Sequence, residues 1–368
     1  MSSAAVLTAV NDPLEYRDDV TVDDPKPGEI KVRIAATGVC HSDLSMQNGT
    51  MLANVPMILG HEASAIVEEV GDGVTNVAPG DHIVVSFVAA CGDCFFCQHD
   101  QGYLCQGADM GLVAGLLPDG TARSHSGGAD LNQMCGCGTF AETTVIAAIN
   151  AVKIDKEVDL RVAALIGCGV LTGVGAALNT ARIAPGDTVA VVGCGGVGLN
   201  VIQGARIAGA SEIVAIDLNT NKLEMTKRFG ATTTIDAGDG DPIAKVKNMT
   251  GGRGADVAFE VIGNQVTIDQ TIQMTRRGGQ AILVGVPPHD ATLNTPAFLG
   301  LVFQGKTIAG SWYGSSNVQR DVPRLLDLYK KGDLFLEELI SREIKLPDVN
   351  EAFAAMKTGE VARSVVVF

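Results

Sequence analysis

The chain has 368 residues, 42 acidic against 27 Lys and Arg, a formal net charge of −15, and 46% hydrophobic residues. That length points to more than one domain, and the apolar content suffices for buried cores, which excludes a disordered or solvating chain. The acidic balance argues against nucleic-acid and anionic-membrane partners, because phosphate-rich surfaces attract basic patches.

The first 20 residues carry Asp18 and Asp19 and lack a long apolar core. No secretory signal is expected there, and a cytoplasmic location is. Nine cysteines cannot all pair internally. In a reducing compartment, metal binding outranks a disulfide framework.

In chain order, the first third reads as β-rich. Residues 30–34 alternate apolar with charged, which suits a half-buried strand. Residues 65–70 and 82–88 read as further strands, divided by the turn signals Gly71-Asp72-Gly73 and Pro79-Gly80-Asp81. Residues 107–138 are Gly-rich and weakly periodic, a long excursion of the kind that borders a functional site. No charge occurs between Arg161 and Arg182, nearly a bilayer's length, but Gly167, Gly169, Gly173 and Gly175 mark a buried core segment instead.

The pattern changes near Asp187. Residues 188–192 form an apolar strand, a glycine turn follows, and 199–208 have helical composition. Residues 213–216 make a second strand ending at Asp217. Thr220 is the expected cap of a helix that stops at Gly230. Asp241-Pro242 reads as another helix start, and 257–261 and 281–286 as strands. Strand alternating with helix predicts a parallel sheet. From Pro323 the pattern is mixed, and 364–368 form a last strand.

Three constellations carry chemistry. Gly193, Gly195 and Gly198 spell G-x-G-x-x-G between a predicted strand and a predicted helix. Such glycines let backbone approach a pyrophosphate at the helix N-terminus. Asp217, 19 residues after Gly198, is placed to accept from ribose hydroxyls and to repel a 2′-phosphate, which favours NAD over NADP. Cys91, Cys94, Cys97 and Cys105 can surround one ion through four thiolates. That suits a closed structural zinc site. Ferredoxins also use C-x2-C-x2-C, but the closing Cys-Pro is missing, so zinc is preferred to an iron–sulfur cluster. The third set is dispersed: Cys40, followed by His41, Ser42 and Asp43; His61, followed by Glu62; and Cys168. Spacing alone does not show that these converge.

With these motifs in place, the chain resembles the zinc-dependent medium-chain alcohol dehydrogenases, in the class III-like, long-loop branch. The matching segments run in the family's order: Gly38-Val39-Cys40-His41-Ser42-Asp43, Gly60-His61-Glu62, the four cysteines, Gly167-Cys168-Gly169-Val170, Gly193 to Gly198, Phe259-Glu260-Val261-Ile262-Gly263 and Val284-Gly285-Val286-Pro287-Pro288. The resemblance implies an α/β fold: a GroES-like β-rich catalytic domain over residues 1–169 and 313–368, with an inserted Rossmann domain, a doubly wound parallel sheet, over 170–312. It implies two zinc ions per chain. Cys40, His61 and Cys168 would hold the catalytic one, and Cys91, Cys94, Cys97 and Cys105 the structural one. Ser42 would relay the proton, Asp43 would orient His61, and Glu62 would stand behind the metal. Cofactor contacts are implied for His41, Thr172, Gly193, Gly195, Gly196, Val197, Gly198, Asp217, Lys222, Val286 and Arg363. Ser42, Met51, Phe87 and Met110 would line an apolar substrate channel.

The chain departs from the family at two points. Residues 42–49 contain no His to pass the proton on to solvent. Where members that oxidise the glutathione adduct of formaldehyde carry an Arg just after the lobe, this chain has Asp109, which would repel that anionic substrate. The leading expectation is therefore a zinc- and NAD-dependent dehydrogenase that transfers hydride reversibly between NAD and primary alcohols or aldehydes with apolar bodies. The rivals are a nicotinoprotein that keeps NADH bound and a silent member acting as a binding or structural protein. Residues 306–311 match the family's subunit-joining strand, so at least a homodimer is expected, with a tetramer as the alternative. Cys135, Cys137 and Cys194 match no ligand position.

Overall fold

The structure is a computed structural model and describes residues 1–358 and 363–368. The chain folds into two compact units, Met1–Gly169 with Asn317–Lys330 and Leu336–Phe368, and Val170–Ser316 with Lys331–Phe335.

The first unit opens with β1 (Ser2–Leu7), β2 (Glu15–Val22), β3 (Glu29–Gly38), α1 (His41–Gln47), β4 (Met57–Ile58), β5 (Ala63–Val70), β6 (His82–Val85) and α2 (Phe95–Gln98). It continues with β7 (Ser124–Ser126), β8 (Ala129–Gln133), β9 (Thr143–Ala147), β10 (Ala151–Ile154) and α3 (Leu160–Leu165). β1, β2, β7, β8 and β4 close a small barrel. β3 is the spine of a second sheet and pairs antiparallel with both β5 and β9. The alternation expected at residues 30–34 is present: Ile30, Val32 and Ile34 are fully buried, while Lys31 and Arg33 face Glu69 and Glu68 of β5. Such exposed pairs add little; burial of the apolar face holds the strand.

Two sequence expectations need correction here. The strand expected over 82–88 stops at Val85, because the Ser86 hydroxyl bonds both the amide and the carbonyl of Val88 and closes a local turn. The Gly-rich excursion is also more ordered than its composition suggests. It contains the β7–β8 hairpin and a single wide helical turn, Met110–Ala114. It is tied to β3 by the buried Arg123, whose guanidinium meets both oxygens of Glu29 at 2.5 and 2.9 Å.

The second unit contains α4 (Leu171–Gly175), β11 (Thr188–Val192), α5 (Gly196–Ala208), β12 (Glu212–Asp217), α6 (Thr220–Phe229), β13 (Thr233–Asp236), α7 (Pro242–Met249), β14 (Ala255–Glu260), α8 (Gln265–Met274), β15 (Thr275–Leu283) and β16 (Thr307–Gly310). The six strands are parallel, in the order β13-β12-β11-β14-β15-β16. The order reverses beside β11, and ligands of such sheets bind at the carboxyl ends of the strands next to the reversal. Ala190, Val192, Val214, Ile216 and Ala258 form the sheet's buried core.

Asp241 caps α7 with Pro242 at its first position, as the sequence indicates. Thr220 does not cap α6. Asn219 does, its side chain accepting from the amides of Asn221 and Lys222, one residue earlier than the composition suggested. The strand expected over 281–286 is displaced to Thr275–Leu283, because the amides of Val284 and Gly285 both donate to the Glu260 carbonyl and turn the chain out of the ladder. Residues 331–335 group with this unit through Gln203, whose amide meets the Phe335 carbonyl and N–H at 3.0 and 2.7 Å.

The chain then returns to the first unit with α9 (Val318–Lys330), β17 (Ile340–Ile344), α10 (Val349–Thr358) and β18 (Arg363–Val367). β18 lies between β3, antiparallel, and β17, parallel. One helical run, Leu160–Thr180, is apolar and long enough to cross a bilayer, but 83% of its most apolar stretch is buried inside the protein.

Candidate active site

Cys40 sits at the N-cap of α1, where its backbone N–H donates to Asp43 Oδ2 at 2.8 Å. The other Asp43 oxygen accepts from the Gly60 amide and faces His61 Nδ1, both at 3.1 Å. Asp43 is fully buried, so a single carboxylate fixes the helix start, the turn after β4 and the imidazole tautomer. With Nδ1 engaged by Asp43, His61 turns Nε2 toward Cys40. Cys168 follows α3. The ligand atoms of Cys40, His61 and Cys168 all lie within 4.8 Å of one another, and all three residues are buried. The neighbouring Cys168 is the main cause holding the Cys40 thiol well below the usual range. Two sulfurs and one imidazole form the donor set of an open zinc site, and their mutual spacing fits one ion.

Behind this triad lies a buried carboxyl–guanidinium contact. Arg363 of β18 approaches Glu62 at 3.3 Å, and neither side chain is exposed beyond 6%. Burial pushes the Glu62 carboxyl up to about 8, with the Arg363 charge pulling it down. The close fit explains a glycine beside Cys168: a Cβ on Gly169 would collide with the Arg363 guanidinium. Ser42 Oγ stands 3.8 Å from Cys40 Sγ. Phe87 meets the His61 ring edge-on, with centroids 5.5 Å apart, and forms an apolar wall. Met51 packs against the unit's apolar core, and Met110 is 41% exposed on its turn. His41 is exposed at the start of α1.

The four lobe cysteines also converge. Cys91 Sγ lies 4.0 Å from Cys97 Sγ, and Cys94 Sγ 3.9 Å from Cys105 Sγ. Tetrahedral zinc with Zn–S of about 2.3 Å needs sulfurs about 3.8 Å apart, so the cage fits that ion. Backbone N–H groups of Cys91 and Cys94 donate to Cys105 Sγ and Cys91 Sγ. The Cys97 and Gln106 amides hold the Cys94 thiol down at about 6. The remaining cysteines are chemically quiet. Burial pushes Cys137 up to about 12 and raises Cys135 and Cys194 as well.

In the second unit, Gly193 follows β11 with φ at +101°, Gly195 caps α5, and Gly196 and Val197 are its first residues. A Cβ on Gly198 would collide with the Gly193 carbonyl, so the helix seats directly on the turn. Gly195 has open space above its Cα. Asp217 ends β12. Its Oδ2 accepts from the Cys194 amide and its Oδ1 from the Asn219 amide, at 2.8 and 2.9 Å, which locks the carboxylate to the glycine turn. Lys222 lies in the first turn of α6. Thr172 is the second residue of α4, and Val286, 46% exposed, follows β15.

Sequence reasoning gave Glu260 no role, yet it holds this crevice together. Its buried Oε1 accepts from the amides of Ile262 and Gly263 and from the Thr267 hydroxyl, at 3.0, 2.8 and 2.6 Å. The turn so fixed abuts Gly193, where a Cβ would lie 2.6 Å from Ile262. A lone carboxylate closing an apolar strand was the available signal.

Comparison with known proteins agrees with this geometry. The family described as alcohol dehydrogenase GroES-like domain matches residues 26–156, and the zinc-binding dehydrogenase family matches residues 196–331. A putative alcohol dehydrogenase D of Mycobacterium tuberculosis is 39% identical, covering 100% of this chain and 99% of that protein. An S-(hydroxymethyl)glutathione dehydrogenase of Escherichia coli is 40% identical, with 99% of each covered. The crystal structure of benzyl alcohol dehydrogenase from Acinetobacter calcoaceticus superposes with a TM-score of 0.94 at 28% identity, covering 100% of this chain and 99% of that one.

Proposed function

Because the chain belongs to the zinc-dependent medium-chain alcohol dehydrogenase family, we infer that it transfers hydride reversibly between apolar primary alcohols and NAD. The observation that carries this reading is the buried Cys40, His61 and Cys168 set, with Asp43 locked onto His61. Zinc held by these three would act as a Lewis acid that lowers the pKa of the alcohol, and NAD would accept the hydride.

The chain's own residues supply the rest. As ligands, Cys40 and Cys168 would both be thiolates and counter the charge of a divalent ion, while Asp43 holds the His61 ring in place. Ser42, adjoining Cys40 in space, would relay the alcohol proton, its hydroxyl accepting that proton as it gives its own to water. Phe87 excludes water on the His61 side and favours an apolar substrate body. Glu62 and Arg363 pack against each other behind the site at 3.3 Å, both buried, and form the pocket floor. Asp217 presents its remaining lone pairs to ribose hydroxyls and repels a 2′-phosphate, which supports NAD over NADP.

The substrate follows from charge. Asp109 next to the lobe disfavours a glutathione adduct, although relatives carry that activity in their names. The test is a panel of benzyl alcohol, linear primary alcohols and S-(hydroxymethyl)glutathione with NAD and with NADP. Apolar alcohols with NAD should give the highest kcat/KM, and faster turnover of the glutathione adduct would overturn the reading. Absorbance of the desalted protein in the reduced-nicotinamide band separates exchangeable from retained cofactor. A stoichiometric signal would replace the freely exchanging enzyme with a nicotinoprotein.

A further inference from the structure

The amino ends of β11, β14 and β15 border a cavity of about 1140 Å³ inside the second unit. It lies at the opposite edge of the sheet from Gly193 and Asp217. A strand of five residues spans about 15 Å, so the two regions are distinct.

The charge of this cavity runs against that of the chain. Lys247, Arg253, Arg276, Arg277 and Lys306 line it, against three carboxylates. All three carboxylates are already engaged. Asp256 pairs with Arg276 at 2.5 Å and accepts from the Thr188 amide. Asp269 accepts from the side-chain amides of Gln265 and Asn294, and Asp187 from the Ala184 N–H.

The cations are used less completely. Arg277 lies over the Phe303 ring at 4.9 Å and donates to its carbonyl. Lys306 donates to the Ile272 carbonyl at 2.7 Å, serving the carboxyl end of α8. Among the described residues neither Lys247 nor Arg253 is within ion-pair distance of a carboxylate, Asp256 being taken by Arg276 and feeling Arg253 only as a weaker, more distant charge. Lys306 is half-buried. Burial, and then repulsion from Lys247, lowers its pKa. Two like charges face one cavity with no anion assigned between them.

We propose that this cavity binds a small anion carrying two phosphate groups, held by Lys247, Arg253 and Lys306. The surplus of two positive charges calls for a ligand with at least two negative ones, and the volume admits a molecule of nucleotide size. Guanidinium and ammonium together suit phosphate: Arg253 offers a fork, Lys247 a point charge. The site is independent of which alcohol the enzyme oxidises.

Fructose 1,6-bisphosphate is a suitable probe, because it lacks the adenine and nicotinamide that the glycine turn serves. Isothermal titration into zinc-loaded protein saturated with NAD should show saturable binding that weakens as salt rises. In the Lys247→Ala/Arg253→Ala double variant, that binding should weaken at least tenfold. Arg253 is exposed and Lys247 half-buried, so the variant should melt as the parent does and keep its KM for NAD. The Arg253→Lys variant should retain most of the binding. No heat at millimolar probe, equal affinity in the double variant, or binding that appears only in protein free of NAD would each overturn the proposal.

Discussion

The four-cysteine lobe takes its donors from 15 consecutive residues, 91–105, whereas the buried triad gathers Cys40, His61 and Cys168 across 129. The lobe is partly exposed, and local backbone amides brace its sulfurs. The triad is buried, and a distant carboxylate, Asp43, aims one of its donors. The lobe has four thiols and leaves no open position on a tetrahedral ion; the triad has three donors and leaves one. The difference teaches what each is suited to. Four local sulfurs clamp a loop, while three converging donors in a dry pocket can present an ion to a substrate.

The largest effect expected from breaking this comparison is the paired substitution of one cysteine from each site. Cys168→Ala should lower kcat/KM at least ~10³-fold, the several kcal/mol that a Lewis acid supplies, while metal analysis still finds the lobe's ion. Cys97→Ser should instead lose the lobe's metal and lower Tm by several degrees, with turnover at 25 °C largely kept. If both variants lost activity alike, the division of roles would be wrong. Next in size, Asp43→Asn should cost roughly 10–100-fold in activity or in zinc affinity at the triad, the usual range for a carboxylate that orients a metal-binding His. An equilibrium dialysis series would reveal whether the lobe's ion is untouched, as expected.

The smallest effect concerns the lobe's anchor. Asp100 meets Asn317 and Arg320 at 2.9 and 2.7 Å, and these two partners hold its carboxyl below the usual range. A depressed carboxylate stabilises the fold fully at neutral pH, and the contribution fades as pH falls from about 4 through the lowered value. Because the side chain is 61% exposed, solvent screens the pair strongly. Asp100→Ala should therefore lower Tm by only about 1 °C at pH 7. Thermal melts at pH 7 and pH 3 should show that difference closing at the lower value.

Much of the lobe was legible because its chemistry is local: four cysteines in one loop have few ways to avoid one another. The Rossmann turn was legible for the same reason, since strand, glycines and Asp217 follow in order along one βαβ unit. The triad was not legible from spacing, and only the resemblance brought Cys40, His61 and Cys168 together before the fold did. Glu260 escaped because a buried carboxylate at a strand end has no spacing signature. Its partners Ile262, Gly263 and Thr267 matter only once the turn exists. Asn219 displaced Thr220 as a cap because neighbouring polar residues compete for the same orphan amides, and the backbone angle decides.

By itself, the sequence determined the alternation of β3, the strand–turn–helix of the glycine loop and the clustering of the lobe sulfurs, all set by neighbours a few residues apart. Tertiary structure alone decided that β18 returns beside β3 to bring Arg363 against Glu62, and that Arg123 crosses to Glu29. It also decided that five cations meet at one edge of the parallel sheet. These pairings join residues about 90 to 300 positions apart. Burial makes each charge depend on its partner, and no short-range rule records which partner will arrive.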